Sequence, residues 1–193
     1  MKRICVYCGS NGGARSSYSS AAREMGIALA RRDITLVYGG GRVGLMGSIA
    51  DAVLAQGGEV IGVIPEPLVA REVAHKGLTD LRIVGSMHER KALMAELSDA
   101  FVALPGGFGT LEEFCEITTW TQLGLHRKPC GLLNVSGYYD ALLSFLDHAV
   151  SERFIRPEHR SVVLADTEPD GLLDKLKGFD APELDKWIDL KET

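Results

Sequence analysis

No stretch of this sequence approaches the roughly 20 consecutive apolar residues that a membrane-crossing helix needs, so no membrane partner is expected. It has no surplus of basic residues either: 21 Lys and Arg against 26 Asp and Glu leave a net charge of −5. Proteins that bind DNA or RNA in general use such a surplus to displace phosphate counterions. Nucleic acid is therefore not the expected partner, although a local basic pocket for one small anion remains open. The start, Met1-Lys2-Arg3-Ile4-Cys5, is too short and runs too soon into a strand-like pattern for a signal peptide. These absences point to a cytoplasmic protein.

Cysteine is scarce, and its spacing matters more than its number. Cys5 and Cys8 form one C-x2-C pair, while Cys115 and Cys130 are isolated. A structural zinc site wants a second pair or two spaced histidines, but His75, His88, His126, His148 and His159 are scattered. A thioredoxin-like pair opens a helix, whereas Cys5 lies inside an apolar, strand-like run. The cysteines read as core or loop thiols, and neither a metal nor a redox cofactor is expected. Internal repeats and low-complexity linkers are missing too. A chain of 193 residues buries roughly 70% of its unfolded surface, enough for a core without disulfides. The expected organisation is one domain over 1–179 and a charged tail over 180–193.

What the sequence does have is alternation. Apolar, β-rich runs at 4–7, 34–38, 60–64, 81–84, 100–104, 131–135 and 162–165 alternate with helical patterns at about 18–32, 45–56, 86–97, 110–123, 138–153 and 171–176. Continuous apolar strands separated by helices predict a mostly parallel sheet covered on both faces, a single Rossmann-like, doubly wound α/β domain. Ligands in such sheets bind beyond the carboxyl ends of the strands.

Three glycine-rich turns follow strands and so fall at that edge: Gly9-Ser10, Gly39-Gly40-Gly41-Arg42-Val43-Gly44 and Gly106-Gly107-Phe108-Gly109-Thr110. Glycine lets a ligand approach the backbone, and the helix that follows offers free N–H groups and a positive dipole end. Gly9, Ser10, Gly40 and Gly41 are therefore candidate phosphate-loop residues. The middle turn matches G-x-G-x-x-G, but the acid that a dinucleotide site wants about twenty residues on falls at the start of a strand, at Glu59. No G-x-x-x-x-G-K-[ST] occurs, which excludes a P-loop NTPase. A small phosphate-bearing ligand explains the three turns better than helix packing alone.

Two helix starts carry charges in unusual places. Thr110 and Glu113 fit a capping box, which would make Glu113 a cap. Yet Glu113 shares a helix face with Ile117 and Trp120, so it also reads as an acid, a base or a cation stabiliser beside an anion loop. Glu112 lies about 100° around the helix, in line with Glu116 and Thr119. Ser86 and Glu89 fit a second capping box. Beyond it, Arg90 falls in the apolar stripe of Met87, Leu93, Met94 and Leu97. It either snorkels out or points into a pocket or an interface, where it would hold an anion. His88 reads as a surface or capping residue rather than a base.

The run Pro105-Gly106-Gly107-Phe108-Gly109-Thr110-Leu111-Glu112-Glu113 resembles the P-G-G-x-G-T-x-x-E signature of the Lonely Guy (LOG) family, the cytokinin riboside 5′-monophosphate phosphoribohydrolases. The resemblance extends from Cys8-Gly9-Ser10 through Tyr38 to Gly41, Gly44 to Gly47 and Met87 to Lys91, to Leu132-Leu133-Asn134-Val135-Ser136-Gly137-Tyr138-Tyr139. It implies hydrolysis of the N-glycosidic bond of a nucleoside 5′-monophosphate, releasing base and ribose 5-phosphate without a cofactor. It also implies that Arg90 and Glu113 are the catalytic pair. Glu72, Lys91, Gly107, Phe108, Gly109, Thr110, Leu111, Glu112 and Thr119 match its substrate-binding positions. Members have been labelled possible lysine decarboxylases, but no lysine here sits in a Schiff-base setting. The competing expectations are a non-catalytic nucleotide carrier of the same fold and a dinucleotide-dependent oxidoreductase. The apolar residues flanking Arg90 and Glu113, together with the resemblance, lead to one more expectation: a homodimer with its sites at the interface.

Overall fold

The computed structural model describes residues 1–69 and 74–182. Along the chain run β1 (Arg3–Tyr7), α1 (Ser16–Arg31), β2 (Thr35–Tyr38), α2 (Gly44–Ala55), β3 (Val60–Pro65), α3 (Glu66–Val69), β4 (Asp80–Val84) and α4 (Met87–Leu97). There follow β5 (Ala100–Ala103), α5 (Phe108–Gln122), β6 (Cys130–Leu133), a 3-10 turn (Val135–Gly137), α6 (Asp140–Ser151), α7 (Pro157–Arg160), β7 (Val163–Asp166) and α8 (Pro169–Lys177). Each strand read from the sequence forms. The two four-residue helices, α3 and α7, were not foreseen, because one turn is too short for a 3.6-residue period to register.

The strands pair in parallel in the order β4-β3-β2-β1-β5-β6-β7. This is the doubly wound α/β architecture that the alternation predicts. The central strands β1, β2, β3, β5 and β6 are almost wholly apolar because both faces are covered, whereas the edge strand β4 carries Asp80 and Arg82 and is half exposed. From β1 and the residue just after it, Ile4, Val6 and Cys8 enter one layer of the core with Met25 and Leu29 of α1, Ile49 of α2 and Leu172 of α8. Cys5 and Tyr7 enter the other, with Met94 of α4 and Phe114 and Ile117 of α5. The C-x2-C pair thus straddles the sheet, and Cys5 and Cys8 are buried in opposite layers. Fully burying a side chain such as Leu29 or Leu36 contributes about 1.5–3 kcal/mol each.

From β1 the chain adds strands to one side as far as β4, then crosses back to β5 and adds the rest on the other side. The loops leaving β1 and β5 therefore diverge, and a crevice opens where they part, at the carboxyl edge. The expected tail lies outside the described residues from 183 onward.

Candidate active site

Three glycine turns meet in that crevice, as their places after β1, β2 and β5 predict. Backbone hydrogen bonds tie them together: the Gly9 N–H donates to the Pro105 carbonyl at 3.1 Å, and the Leu45 N–H donates to the Gly9 carbonyl at 3.0 Å. Gly44 is required there. Its φ is +60°, and a Cβ would collide with the Ser10–Asn11 backbone. The turns enclose a cavity of about 680 Å³, with Gly9, Ser10, Gly41, Gly107, Phe108, Gly109 and Thr110 on its wall. Gly40 is not on the described wall; its carbonyl accepts the His75 N–H at 2.9 Å.

The helix after the third turn starts earlier than its sequence pattern predicts. Gly107 is the N-cap of α5, so Phe108 and Gly109 lie in the first turn. Thr110 is buried inside the helix, packed over Gly106. The expected Thr110–Glu113 capping box therefore does not form, because Glu113 lies well beyond reach of the N-cap. Two glycines in three residues hid this helix start, since glycine is a poor helix former. The early start leaves the first N–H groups of α5 facing the cavity mouth without intrahelical partners.

Ser86 does cap α4: its Oγ accepts the Glu89 N–H at 3.1 Å. The Glu89 carboxylate accepts the Gly85 N–H at 2.7 Å rather than that of Ser86. This cap sets the phase of α4, and Arg90 enters the protein instead of snorkelling out. Only 9% of Arg90 is exposed. Its Nε donates to the Val63 carbonyl at 3.1 Å, and its guanidinium lies where a Cβ on Gly39 would collide.

Arg90 Nη1 stands 3.1 Å from Glu113 Oε1, and the Glu113 side chain is 11% exposed. The contact is an ion pair without hydrogen-bond alignment. No hydrogen-bond donor among the described residues is aimed at that buried oxygen. Burial pushes the Glu113 carboxyl above the ordinary glutamate range, and the pull of Arg90 in the other direction does not cancel it. Both residues stand on the cavity wall. The arrangement gives a desolvated carboxylate, a fixed cation and a helix N-terminus around one space large enough for a nucleotide-sized ligand.

The other expected substrate-binding residues are placed differently. Glu112 stands at the cavity rim, half exposed. Lys91 bridges α4 and α5 away from the described wall, its side chain 11% exposed, 2.5 Å from Glu112 and 3.0 Å from Glu116. Burial opposes its charge, but hydrogen bonds to Glu112 and Glu116 outweigh that and hold Lys91 above the ordinary lysine range. Thr119 is exposed, and its hydroxyl donates to the Cys115 carbonyl at 2.8 Å. Lys91, Leu111 and Thr119 are not on the described wall, and Glu72 lies outside the described residues. His88 is exposed on α4. Tyr18, Met46, Ile64, Leu68 and Tyr138 do line the cavity and were not foreseen. Leu68 sits on the unforeseen α3, while Tyr138 was visible within Asn134-Val135-Ser136-Gly137-Tyr138-Tyr139 but without a role.

A family model described as possible lysine decarboxylase matches residues 46–176. The chain is 55% identical over 179 residues to the probable cytokinin riboside 5′-monophosphate phosphoribohydrolase LOGL9 of Oryza sativa subsp. japonica, covering 93% of this chain and 79% of that protein. It is 53% identical over 179 residues to cytokinin riboside 5′-monophosphate phosphoribohydrolase LOG1 of Arabidopsis thaliana, covering 93% and 84%. The chain belongs to the LOG family. Its LOG signature, Pro105 to Glu113, supplies the turn, the helix start and the carboxylate of the cavity just described. The decarboxylase description finds no support there, since no lysine stands on the described wall to form a Schiff base. Among solved structures, the molybdenum cofactor binding protein from Rippkaea orientalis superimposes with a TM-score of 0.70 at 22% identity, covering 92% of this chain and 96% of that one. That likeness is one of fold alone. Among the described residues no cluster of His, Cys, Asp and Glu is gathered to hold a metal ion, and no helix is long and apolar enough to cross a membrane.

Proposed function

We propose that the cavity binds a nucleoside 5′-monophosphate, such as AMP or its prenylated form, and that the protein hydrolyses its N-glycosidic bond. Water adds its oxygen to C1′ of the ribose, and its proton leaves with the base, giving free base and ribose 5-phosphate. One observation carries this reading: the buried Glu113 carboxylate, 3.1 Å from Arg90, shares its cavity with the N-terminus of α5. Breaking a glycosidic bond builds positive charge on the sugar ring. Glu113 is held where it stabilises that charge or activates water, and Arg90 favours its ionised form against the burial. The 5′-phosphate rests on the first turn of α5 and the glycine turns, where N–H groups and the helix dipole favour an anion. Arg90 also contacts the ribose or phosphate. The names of the LOG relatives describe the same reaction.

The protein acts as a homodimer in this reading. Phe108 is 93% and Met87 44% exposed beside the cavity, an apolar rim that a second chain would cover. Lys91, Leu111 and Thr119 then serve the closed, two-chain site rather than the wall of one chain. Four free cysteines fit the reducing environment of the cytoplasm.

Incubation with AMP, prenylated AMP and adenosine, followed by chromatography, tests the activity. Base and ribose 5-phosphate are expected in equal amounts, with adenosine cleaved far more slowly than AMP. Equal turnover of adenosine and AMP overturns the phosphate site. AMP that binds and stays intact favours the second reading, a non-catalytic nucleotide carrier of the same fold. A single sedimenting species of 20.9 kDa at micromolar concentration overturns the dimer.

A further inference from the structure

The turn that carries the proposed phosphate site is held in place by two tyrosines from a distant part of the chain. Tyr139 is buried, and its hydroxyl donates to the Leu104 carbonyl at 2.7 Å. Tyr138 is 41% exposed, and its hydroxyl donates to the Gly106 carbonyl at 2.5 Å. Two adjacent tyrosines thus grip carbonyls two residues apart, one at the end of β5 and one in the glycine turn.

The segment presenting them is itself fixed. The Asn134 Oδ1 accepts the Tyr139 N–H at 2.7 Å, and its Nδ2 donates to Asp140 at 2.7 Å. Ser136 and Gly137 follow with φ of +52° and +74°. Serine at positive φ is uncommon and persists where its surroundings hold it. Here Ser136 Oγ meets Ser17 Oγ at 3.2 Å. The Tyr138 ring packs edge-on against Tyr18 and Tyr139, with centroids 5.6 and 5.0 Å away.

A peptide group is planar and trans, so the Gly106 carbonyl and the Gly107 N–H point in opposite directions within one plane. A hydroxyl that fixes the oxygen fixes the N–H as well. Gly107 is the N-cap of α5 and stands on the cavity wall. We propose that Tyr138 is a positioning residue: its hydroxyl sets the orientation of the Gly106–Gly107 peptide and thereby the anion site at the start of α5. This rests on the reading of that site as the seat of the 5′-phosphate. Tyr139, fully inside the core, anchors the end of β5 and serves as the structural counterpart.

Tyr138→Phe removes the hydroxyl and keeps the ring contacts. Calorimetry on the full-length protein gives the Kd of ribose 5-phosphate, and steady-state kinetics give KM and kcat for AMP and the inhibition constant of adenine. With one hydrogen bond lost, the ribose 5-phosphate Kd and the AMP KM are expected to rise roughly 3–10-fold. The effect on KM should exceed that on kcat, and adenine inhibition should hold. Unchanged Kd and KM overturn the proposal, as does equal weakening of adenine and ribose 5-phosphate. A collapse of Tm in Tyr138→Phe marks the hydroxyl as structural and overturns it too. Tyr139→Phe is expected to lower Tm with a smaller effect on Kd. Wild-type protein that neither binds ribose 5-phosphate nor cleaves AMP overturns the functional reading and this proposal with it; wild type that does both leaves the decision to the variant.

Discussion

Replacing Glu113 with glutamine is expected to move activity and stability in opposite directions. Glutamine has the shape of a protonated glutamate and no charge. Burial raises the Glu113 carboxyl above its ordinary value of 4.5, and Arg90 opposes that shift without reversing it. An acid raised on folding favours the fold in its protonated form. That contribution is fully present below the unfolded value and is lost as pH rises through the higher folded value. As pH rises above that range the wild-type protein bears the cost of ionising a buried carboxyl, and Glu113→Gln does not. The variant should melt higher than wild type at neutral pH, and the gap should close just below pH 4.5.

A simpler view predicts the reverse, because removing one partner of a buried ion pair typically costs about 3–5 kcal/mol. Two observations decide against it. The attraction of Arg90 is already contained in the net upward shift of Glu113. The pair also lacks an aligned hydrogen bond, and Arg90 keeps its bond to the Val63 carbonyl at 3.1 Å, so the substitution does not strand it. Catalysis has no such compensation: a positioned acid or base contributes roughly 10²–10⁴ in rate, and base release from AMP should fall by that factor. Thermal melts at the two pH values, with base release measured by chromatography, test both halves. A lower Tm at neutral pH refutes the electrostatic reasoning, and activity within a few-fold of wild type refutes the catalytic role.

Gly109→Ala places a methyl group where the fold leaves open space in the first turn of α5. It is expected to stabilise the protein by about 0.5–1 kcal/mol while raising KM for AMP more than for adenosine, read from melts and kinetics. Gly44→Ala forces a side chain against the Ser10 backbone at φ +60°, and the denaturation midpoint should fall by an amount equivalent to roughly 1–3 kcal/mol or more. Arg90→Ala and Glu113→Gln chains, unfolded together and refolded, should regain no base release, because the pair that stands 3.1 Å apart belongs to one chain. Recovered activity would mean that each site takes one of the two residues from the other subunit.

Much of this was legible in the sequence because it rests on local periodicity. The strands, the turns after β1, β2 and β5, and the apolar helix faces that carry Arg90 and Glu113 all follow from where apolar residues recur, while the choice between a snorkelling and an inward Arg90, and between a capping and a cavity Glu113, came only with the fold. The start of α5 was not legible, because glycine and phenylalanine at 107–109 carry no helix signal while Thr110 mimics a cap. Lys91 illustrates a second limit. Its spacing puts it next to Arg90, but one residue along a helix is a turn of 100°, and that carries it off the cavity wall to a half-covered bridge with Glu112 and Glu116. Gly40 fails similarly: its positive φ serves the turn and its carbonyl serves His75, leaving Gly41 to face the cavity.

Glycine shows most clearly what spacing leaves out. In the sequence the glycines of the three turns look alike, each with the same licence to approach a ligand. The fold separates them by what a Cβ would meet. At Gly39 it meets the Arg90 guanidinium, and at Gly44 the backbone of the first turn. Those two glycines are explained by the protein's own packing and say nothing of a ligand. At Gly107 and Gly109 a Cβ meets nothing within 4 Å. Neither has a positive φ, so neither packing nor backbone strain requires glycine there, and at Gly109 the helix would prefer alanine. Both line the cavity at the free end of α5. A residue that costs the helix stability and fills no constraint of the fold is best explained by what binds beside it, and a group lying against bare backbone N–H groups at a helix start is an anion. The empty space around two glycines thus supports the proposed phosphate seat on α5, independently of the family signature in which they occur.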